Sequence, residues 1–484
     1  MPNAVSAEMD RQALIEELIA ALGADAVRCG DAVDVRYCAD WSGAAPELPL
    51  ALLRPASTEQ VSVALRICHA RRVAVVPQGG MTGLAGGAMP QADAVSLSLE
   101  RMNAIELVDT AAATIAVQAG ATLQAVQDAA LAQGMVFGVD MGARGSCQIG
   151  GNLATNAGGN GVVQYGMMRE QVLGLEVVMA DGTVLPMLRP MLKNNTGYDL
   201  KHWFIGSEGT LGIITRAVLV LRPAPSARVS TLVALPDYAS AIRLLRRLLA
   251  AFPGALAAFE LMWDDFYSAS LIWNQMASPF SKVYPFQVLA EVTGHSEADL
   301  LEALQNALGE AMEDGSVLDA VVAQSQAQAH SLWRIREATA EFPTHLTPIN
   351  FDISLPLDKI NGFAEECVKT LSARWPTQQS LRFGHLGDGN LHLTTDARSL
   401  GDDLSLADAE NAVEEIVYGL LAQHGGSVSA EHGIGLHKKP YLGLSRTPAE
   451  LAAMRAIKQA LDPLNLLNPG KVFDLHPLSI KAIP

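Results

Sequence analysis

Twelve glycines crowd two short stretches of this chain, and few folds have a use for such crowding. Five fall in GGMTGLAGG (79–87) and seven in GARGSCQIGGNLATNAGGNG (142–161). Glycine tolerates positive φ and lets backbone approach a neighbour or a ligand closely. Loops of this kind can also turn successive N–H groups toward a phosphate. Taken singly, each cluster reads as tight turns packed together. Taken as a pair, both beside strand-like apolar runs, they point to a pyrophosphate-bearing cofactor held between two loops. The chain has no GxGxxG fingerprint of a dinucleotide-binding Rossmann site and no GxxxxGK[ST] phosphate loop.

The rest of the chain supplies the frame for those loops. A length of 484 residues suits two large domains, and 49% apolar residues supply a sizeable core. Lys+Arg 34 against Asp+Glu 51 leaves a net charge of −17, which argues against a nucleic-acid grip and against binding to anionic lipid. Five scattered cysteines (29, 38, 68, 147, 367) form no CxxC and fit reduced, inert thiols. The polar start MPNAVSAEMDRQ lacks a signal-peptide pattern, and no run reaches the ~18 apolar residues of a membrane span, so a soluble cytoplasmic protein is expected.

Periodicity gives helices at 8–23 (Leu14, Leu18, Ile19 and Leu22 on one face), after Ser57, and at 122–133. Strands are read at 73–77, 94–99, 104–109 and 114–120. Pro223 and Pro225 mark a boundary. Beyond it come strands at 229–236, 256–262 and 286–293 with helices at 238–252 and 297–312, and a last helix at 448–461. The texture is α+β. The second part reads as an antiparallel sheet covered by helices on one face.

PQGGMTGLAGG (77–87), GSCQIGGNLATNAGGNGVVQYG (145–166) and GYDLKHWFIGSEGTLGIIT (197–215) resemble the flavin-binding domain of the vanillyl-alcohol oxidase superfamily, the p-cresol methylhydroxylase-type domain of two α+β subdomains enclosing FAD. The resemblance implies that FAD is held by Pro77, Gly79, Gly80, Met81, Thr82, Gly83 and Leu84. It extends the set to Asp140, Gly142, Gly145, Ser146, Gly150, Gly151, Asn152, Thr155, Ala157, Gly158 and Gly159, and to Glu208, Gly209 and Ile213. Met81 stands where family members often carry Asn, a change a backbone phosphate contact should survive. The first loop has no histidine for covalent attachment, so FAD is expected to be non-covalent.

Five of eleven histidines fall between 385 and 437, two of them in RFGHLGDGNLHLTT (382–395). An Asp388-Gly389 two-residue turn would set His385 directly opposite His392 on one sheet face, with Cβ atoms about 4.5–5.5 Å apart. Paired imidazoles suit a divalent metal, and a carboxylate would complete a two-His, one-carboxylate set with open positions. GGSVSAEHGIG (425–435) offers Glu431 and His432, whose side chains point apart on an extended chain and so should play different roles.

HLGDGNLH and SAEHGIG also resemble the FAD-dependent D-2-hydroxyacid dehydrogenases, the branch that holds the D-2-hydroxyglutarate and D-lactate dehydrogenases. The likeness runs from Asp40-Trp41 to Phe473. It implies metal ligands at His385, His392 and Glu431, a base at His432, and a return of Asn468 and Lys471 to the flavin site. The donor set favours zinc by a small margin. A metal-chelated 2-hydroxy acid would lose its hydroxyl proton to histidine and its C2 hydride to flavin N5, leaving a 2-oxo acid. Arg336, in WRIREATAEF, is the carboxylate-binding residue by the same resemblance. Ala340, Asn350 and Thr394 replace the threonine, lysine and asparagine that the 2-hydroxyglutarate branch places there. A shorter or more apolar substrate therefore becomes plausible.

The expected architecture is an N-terminal helical segment (1–45), an FAD-binding domain (46–225), a substrate or cap domain (226–447) and a C-terminal segment (448–484) returning to the FAD domain. The expected partners are a small 2-hydroxy acid and an electron acceptor, whether electron-transfer flavoprotein, quinone or cytochrome. A homodimer is one assembly open to the chain. The alternatives are a metal-independent FAD oxidase of an alcohol or sugar on the same fold, a non-catalytic flavoprotein subunit of an electron-transfer complex, or a glycine-rich binding module.

Overall fold

A computed structural model of the chain describes residues 4–401 and 404–475. The ends of the expected N- and C-terminal segments, 1–3 and 476–484, lie outside the described residues. The chain divides into two compact units, 1–159 with 167–224 and 431–484, and 160–166 with 225–430.

The first unit is built on a four-stranded and a five-stranded sheet, with a small two-stranded pairing of Met135–Val136 and Arg222–Pro223 beside them. Ser57 caps the helix Thr58–Arg71 by accepting from Gln60 N at 3.3 Å, and the chain then enters the strand Val75–Gln78. Strands Ala51–Leu53, Val95–Ser98 and Val75–Gln78 pair in parallel, with Val27–Arg28 antiparallel at the edge. Val95–Ser98 is buried throughout, as expected of a parallel strand covered on both faces. The second sheet is antiparallel, in the order Ile105–Asp109, Thr114–Gln118, Ile213–Val220, Val172–Val178, Val184–Met187. Helix Ala4–Leu22 sinks Leu14, Leu18 and Leu22 into this core, while Ile19 faces outward at 37% exposure.

The C-terminal stretch belongs to this unit. Val75 N–H donates to Leu466 O at 2.7 Å and Asn468 N–H to Val75 O at 2.8 Å, so 466–468 runs beside the strand that feeds the first glycine loop. Buried Lys458 fixes the approach by donating to Asp462 Oδ2, Thr210 O and Leu467 O.

The second unit is one antiparallel sheet of seven strands. Their order is Asp319–Val322, Ala227–Leu235, Phe286–Gly294, Leu256–Trp263, Ser380–His385, Asn390–Asp396, Pro348–Ser354. Helices Asp264–Trp273 and Gln326–Arg336 cover the face that carries Leu232, Met262, Leu289 and Phe383.

The division departs from the sequence expectation twice. The second unit ends at Ala430 rather than 447, because 431–447 is tied to first-unit residues Ala85 and Glu208. It also takes in 160–166, where Gln164 Nε2 donates to Gly254 O (2.9 Å) and Thr293 Oγ1 (3.1 Å). No helix among the described residues is long and apolar enough to cross a membrane.

Candidate active-site elements

In the first unit the two glycine clusters meet. A Cβ on Gly80 would lie 1.9 Å from Ser146 O, and one on Gly159 (φ +92°) 1.8 Å from Asp140 O, so neither position accepts a side chain. Gly142, Gly145 and Gly151 have open space where a Cβ would stand. Gly79, Gly80, Met81 (φ +57°), Thr82 and Gly83 are half-buried, and Leu84 is exposed at 44%. Pro77 closes against Gly209, whose Cβ would lie 2.4 Å from Pro77 Cγ.

Gly150, Gly151, Asn152 and Thr155 sit on the short helix Ile149–Thr155. Asn152 Nδ2 donates to Cys147 Sγ and Thr155 Oγ1 to Gly151 O; Ala157, Gly158 and Gly159 follow, buried. Asp140 pairs with Arg144 at 3.1 Å. Ile213 begins a core strand at 2% exposure.

Four buried acceptors around these loops have no partner among the described residues: Asp40 Oδ2, Gln78 Oε1, Gln148 Oε1 and Asn468 Oδ1. Gln148 Oε1 stands 3.7 Å from the Cβ position of Gly79, and Asp40 Oδ2 3.6 Å from that of Gly83. Asn468 is anchored by Nδ2, which donates to Gly87 O (3.0 Å) and Glu208 O (2.8 Å). A buried unpaired acceptor costs about 1–3 kcal/mol, so four around one cradle call for donors from outside the chain. FAD brings such donors in its ribityl and ribose hydroxyls and ring N–H groups, and the glycine loops offer backbone to a pyrophosphate. The residues fit the cofactor.

Glu208, one of the residues expected at the cofactor, turns its carboxylate to the 433–435 loop. Oε1 accepts from Ile434 N–H at 2.7 Å and Oε2 from Gly435 N–H at 2.8 Å. Burial pushes its carboxyl above the usual range, against the pull of those N–H groups and of Lys438. His432 is thus carried on a loop that Glu208 holds, and the preceding Glu431 accepts from Gly159 N–H at 2.7 Å.

In the second unit the paired strands Ser380–His385 and Asn390–Asp396 bring the histidines together through a register other than the expected one. Phe383, not His385, faces His392, so the loop spans 386–389. A two-residue type I′ turn needs positive φ at both central residues, and only Gly389 (φ +85°) has it. Gly384 is pressed against Asn390 O, 2.2 Å from its Cβ position. His385 and His392 still share a face as diagonal neighbours, with ring centroids 5.3 Å apart and planes at 82°. His392 also stacks on Phe383 at 5.0 Å.

The register of the neighbouring strand sets Glu260, a residue the sequence reading passed over, directly beside His385. Its Oε1 lies 2.7 Å from His385 Nδ1, and its Oε2 accepts from Arg336 Nε at 2.8 Å. Burial opposes ionisation of Glu260, but the neighbouring His385 and Arg336 and their hydrogen bonds overcome it, holding the carboxyl below its usual range. A lone glutamate within the wholly buried strand LAAFELMW was the signal available in sequence. Arg336 is 6% exposed and lies over Phe383 at 4.8 Å; among the described residues only its Nε is hydrogen-bonded. On the same face Thr394 Oγ1 donates to Asn350 Oδ1 at 2.8 Å. Asp352, also missed, is buried across from His392 and accepts from Asn390 Nδ2 at 3.2 Å and from Ser429 Oγ at 3.4 Å. His385 and His392 belong to the second unit. Glu431 and His432 begin the returning stretch of the first, one peptide bond beyond Ala430.

The chain matches the family model described as FAD linked oxidases, C-terminal domain, over residues 224–472, and the model of an FAD binding domain over 49–187. It is 42% identical over 453 residues to the D-2-hydroxyglutarate dehydrogenase of Xanthomonas citri pv. viticola, covering 92% of this chain and 94% of that one. It is 40% identical over 425 residues to the mitochondrial D-2-hydroxyglutarate dehydrogenase of Arabidopsis thaliana, covering 87% and 74%. Among solved structures, p-cresol methylhydroxylase with substrate bound shares the fold at a TM-score of 0.77 and 17% identity, over 97% of this chain and 98% of that one.

Proposed function

The chain belongs to the FAD-linked oxidase family that includes the D-2-hydroxyglutarate dehydrogenases, and on that footing we propose that it oxidises a D-2-hydroxy acid to the 2-oxo acid with FAD and a divalent metal. The observation that carries this reading is the sheet face of the second unit, where two imidazoles stand side by side next to a buried arginine whose terminal nitrogens have no described partner. That is a donor pair for a metal beside a fork for a carboxylate.

In this reading His385, His392 and Glu431 hold the ion, with zinc favoured. When bound, FAD supplies the hydride acceptor and the ion supplies orientation and acidity for the substrate hydroxyl. Arg336 binds the substrate carboxylate. His432 takes the hydroxyl proton, a transfer suited to an imidazole near neutral pH. Asn350 and Thr394 border the substrate side chain and are hydrogen-bonded to each other, and neither brings a cation for a second carboxylate. That favours a 2-hydroxy acid with a shorter or more apolar side chain than 2-hydroxyglutarate.

The test is a panel of D- and L-2-hydroxy acids with a dye acceptor, with and without chelator. Turnover of D-acids, lost on chelation and restored by added metal, supports the reading. Chelator-insensitive oxidation of simple alcohols or sugars would overturn it, as would a protein that retains FAD yet turns over no hydroxy acid.

A further inference from the structure

Glu260 lies on a strand with no other charged residue and is 0% exposed, yet it is ion-paired to Arg336 and hydrogen-bonded to His385. Its two carboxylate oxygens are divided. Oε1 is 2.7 Å from His385 Nδ1 and Oε2 is 2.8 Å from Arg336 Nε. A buried charge of this kind is costly, and replacing such a network by apolar residues is often neutral or stabilising, so its presence calls for a role besides stability. We propose that Glu260 is a positioning residue that joins the metal-binding histidine to the substrate-binding arginine. The inference rests on the metal and substrate roles given above to His385 and Arg336.

The geometry gives each oxygen a task. A neutral imidazole that donates from Nδ1 carries its lone pair on Nε2, so the Oε1 contact selects the tautomer that can ligate through Nε2 and fixes the ring plane. The Oε2 contact uses the single inner N–H of Arg336 and leaves the outer fork for a carboxylate, while the Phe383 ring, 4.8 Å from the guanidinium carbon, limits its swing. One carboxylate thereby sets the spacing between the ion's ligand and the substrate's anchor. Neither His385 nor Arg336 could shift without the other.

The test is Glu260→Gln, which keeps the volume. Its amide can accept from Arg336 Nε only by presenting its NH₂ to His385, which favours the wrong tautomer for ligation through Nε2. Expected results in metal-buffered titrations are a 10–100-fold weaker zinc affinity with FAD content retained, and a KM for the hydroxy acid raised by at least tenfold in the metal-saturated enzyme. Because the variant leaves Arg336 without its counter-charge, Glu260→Met/Arg336→Met, in which no side chain at 260 can accept from His385 Nδ1, is measured alongside and carries the test should the single variant fail to fold. Zinc affinity should remain low in it as well. Wild-type zinc affinity in a folded, FAD-containing variant would overturn the inference while leaving the metal reading intact. A wild-type protein that takes up no divalent ion would remove that reading and this inference with it.

Discussion

Glu208 leaves Gly433 room for a hydrogen and nothing larger, since a Cβ there would stand 2.9 Å from Glu208 Cδ and 3.0 Å from its Oε1. Gly433 also holds φ at +80°, so substitution is strained by backbone as well as by contact. The carboxylate and the glycine together fix the loop that bears His432. Gly433→Ala should cost about 1–3 kcal/mol locally and lower kcat by at least tenfold, while FAD content stays at the wild-type ratio. Steady-state assays with a dye acceptor, beside the flavin absorbance of the purified variant, check this. Unchanged kcat would mean that the loop's position does not govern turnover.

Gly80 lies against the Ser146 carbonyl of the second glycine cluster, where an added Cβ would stand 1.9 Å from the oxygen. A methyl group at Gly80 meets backbone on the other side, which cannot rotate away. Gly80→Ala should therefore part the two loops and weaken FAD retention by roughly tenfold or more, with the second unit unaffected. The flavin-to-protein ratio after gel filtration, and its recovery on adding FAD, measure the effect.

The sequence pattern carried both glycine loops and both histidines because those signals are local. The hairpin register was read two residues out, yet the shared face of His385 and His392 survived, since an even slip returns every side chain to the same side of the sheet. The lone glutamate in an apolar run marked Glu260 as unusual, but its partners lie 76 and 125 residues away and meet it only through strand pairing and a helix end, so its role was not legible. The excursion of 160–166 into the second unit depends on long-range hydrogen bonds from Gln164 to Gly254 and Thr293 that no local pattern announces. Ile19 fits the apolar spacing of the first helix but sits at the margin of its buried stripe and stays exposed.

Lys471 gives a pH dependence. Burial pulls its ammonium down to about 8, against the favourable charges of Asp40 and Glu47, and Nζ donates to Met89 O at 2.9 Å. The folded value lies below the ordinary 10.5, so between about pH 8 and pH 10.5 the unfolded chain binds more protons than the folded one. Stability from this group should therefore rise with pH across that window, by up to about 3 kcal/mol. Below pH 8 the cost of the buried charge is fully present. In FAD-depleted protein, thermal melts of wild type and Lys471→Met should show the variant gaining most at pH 7 and converging on wild type toward pH 10.5. A difference independent of pH would sink the assignment.

Arg336 separates carboxylate binding from mere positive charge. Lysine keeps the charge and can still reach toward Glu260, but it presents no planar fork and cannot engage Glu260 through one nitrogen while offering two to a carboxylate. Arg336→Lys should raise KM for the preferred 2-hydroxy acid by about 10–100-fold, with kcat changed only a few-fold, the mark of lost binding shared by ground and transition states. The loss should be of similar size for substrates with apolar and with acidic side chains, because Arg336 addresses the carboxylate that all of them carry. A loss confined to dicarboxylic substrates would instead place Arg336 at the distal end and require another cation at the reacting one. Kinetics of the variant with D-lactate, a longer apolar D-2-hydroxy acid and D-2-hydroxyglutarate decide between the two.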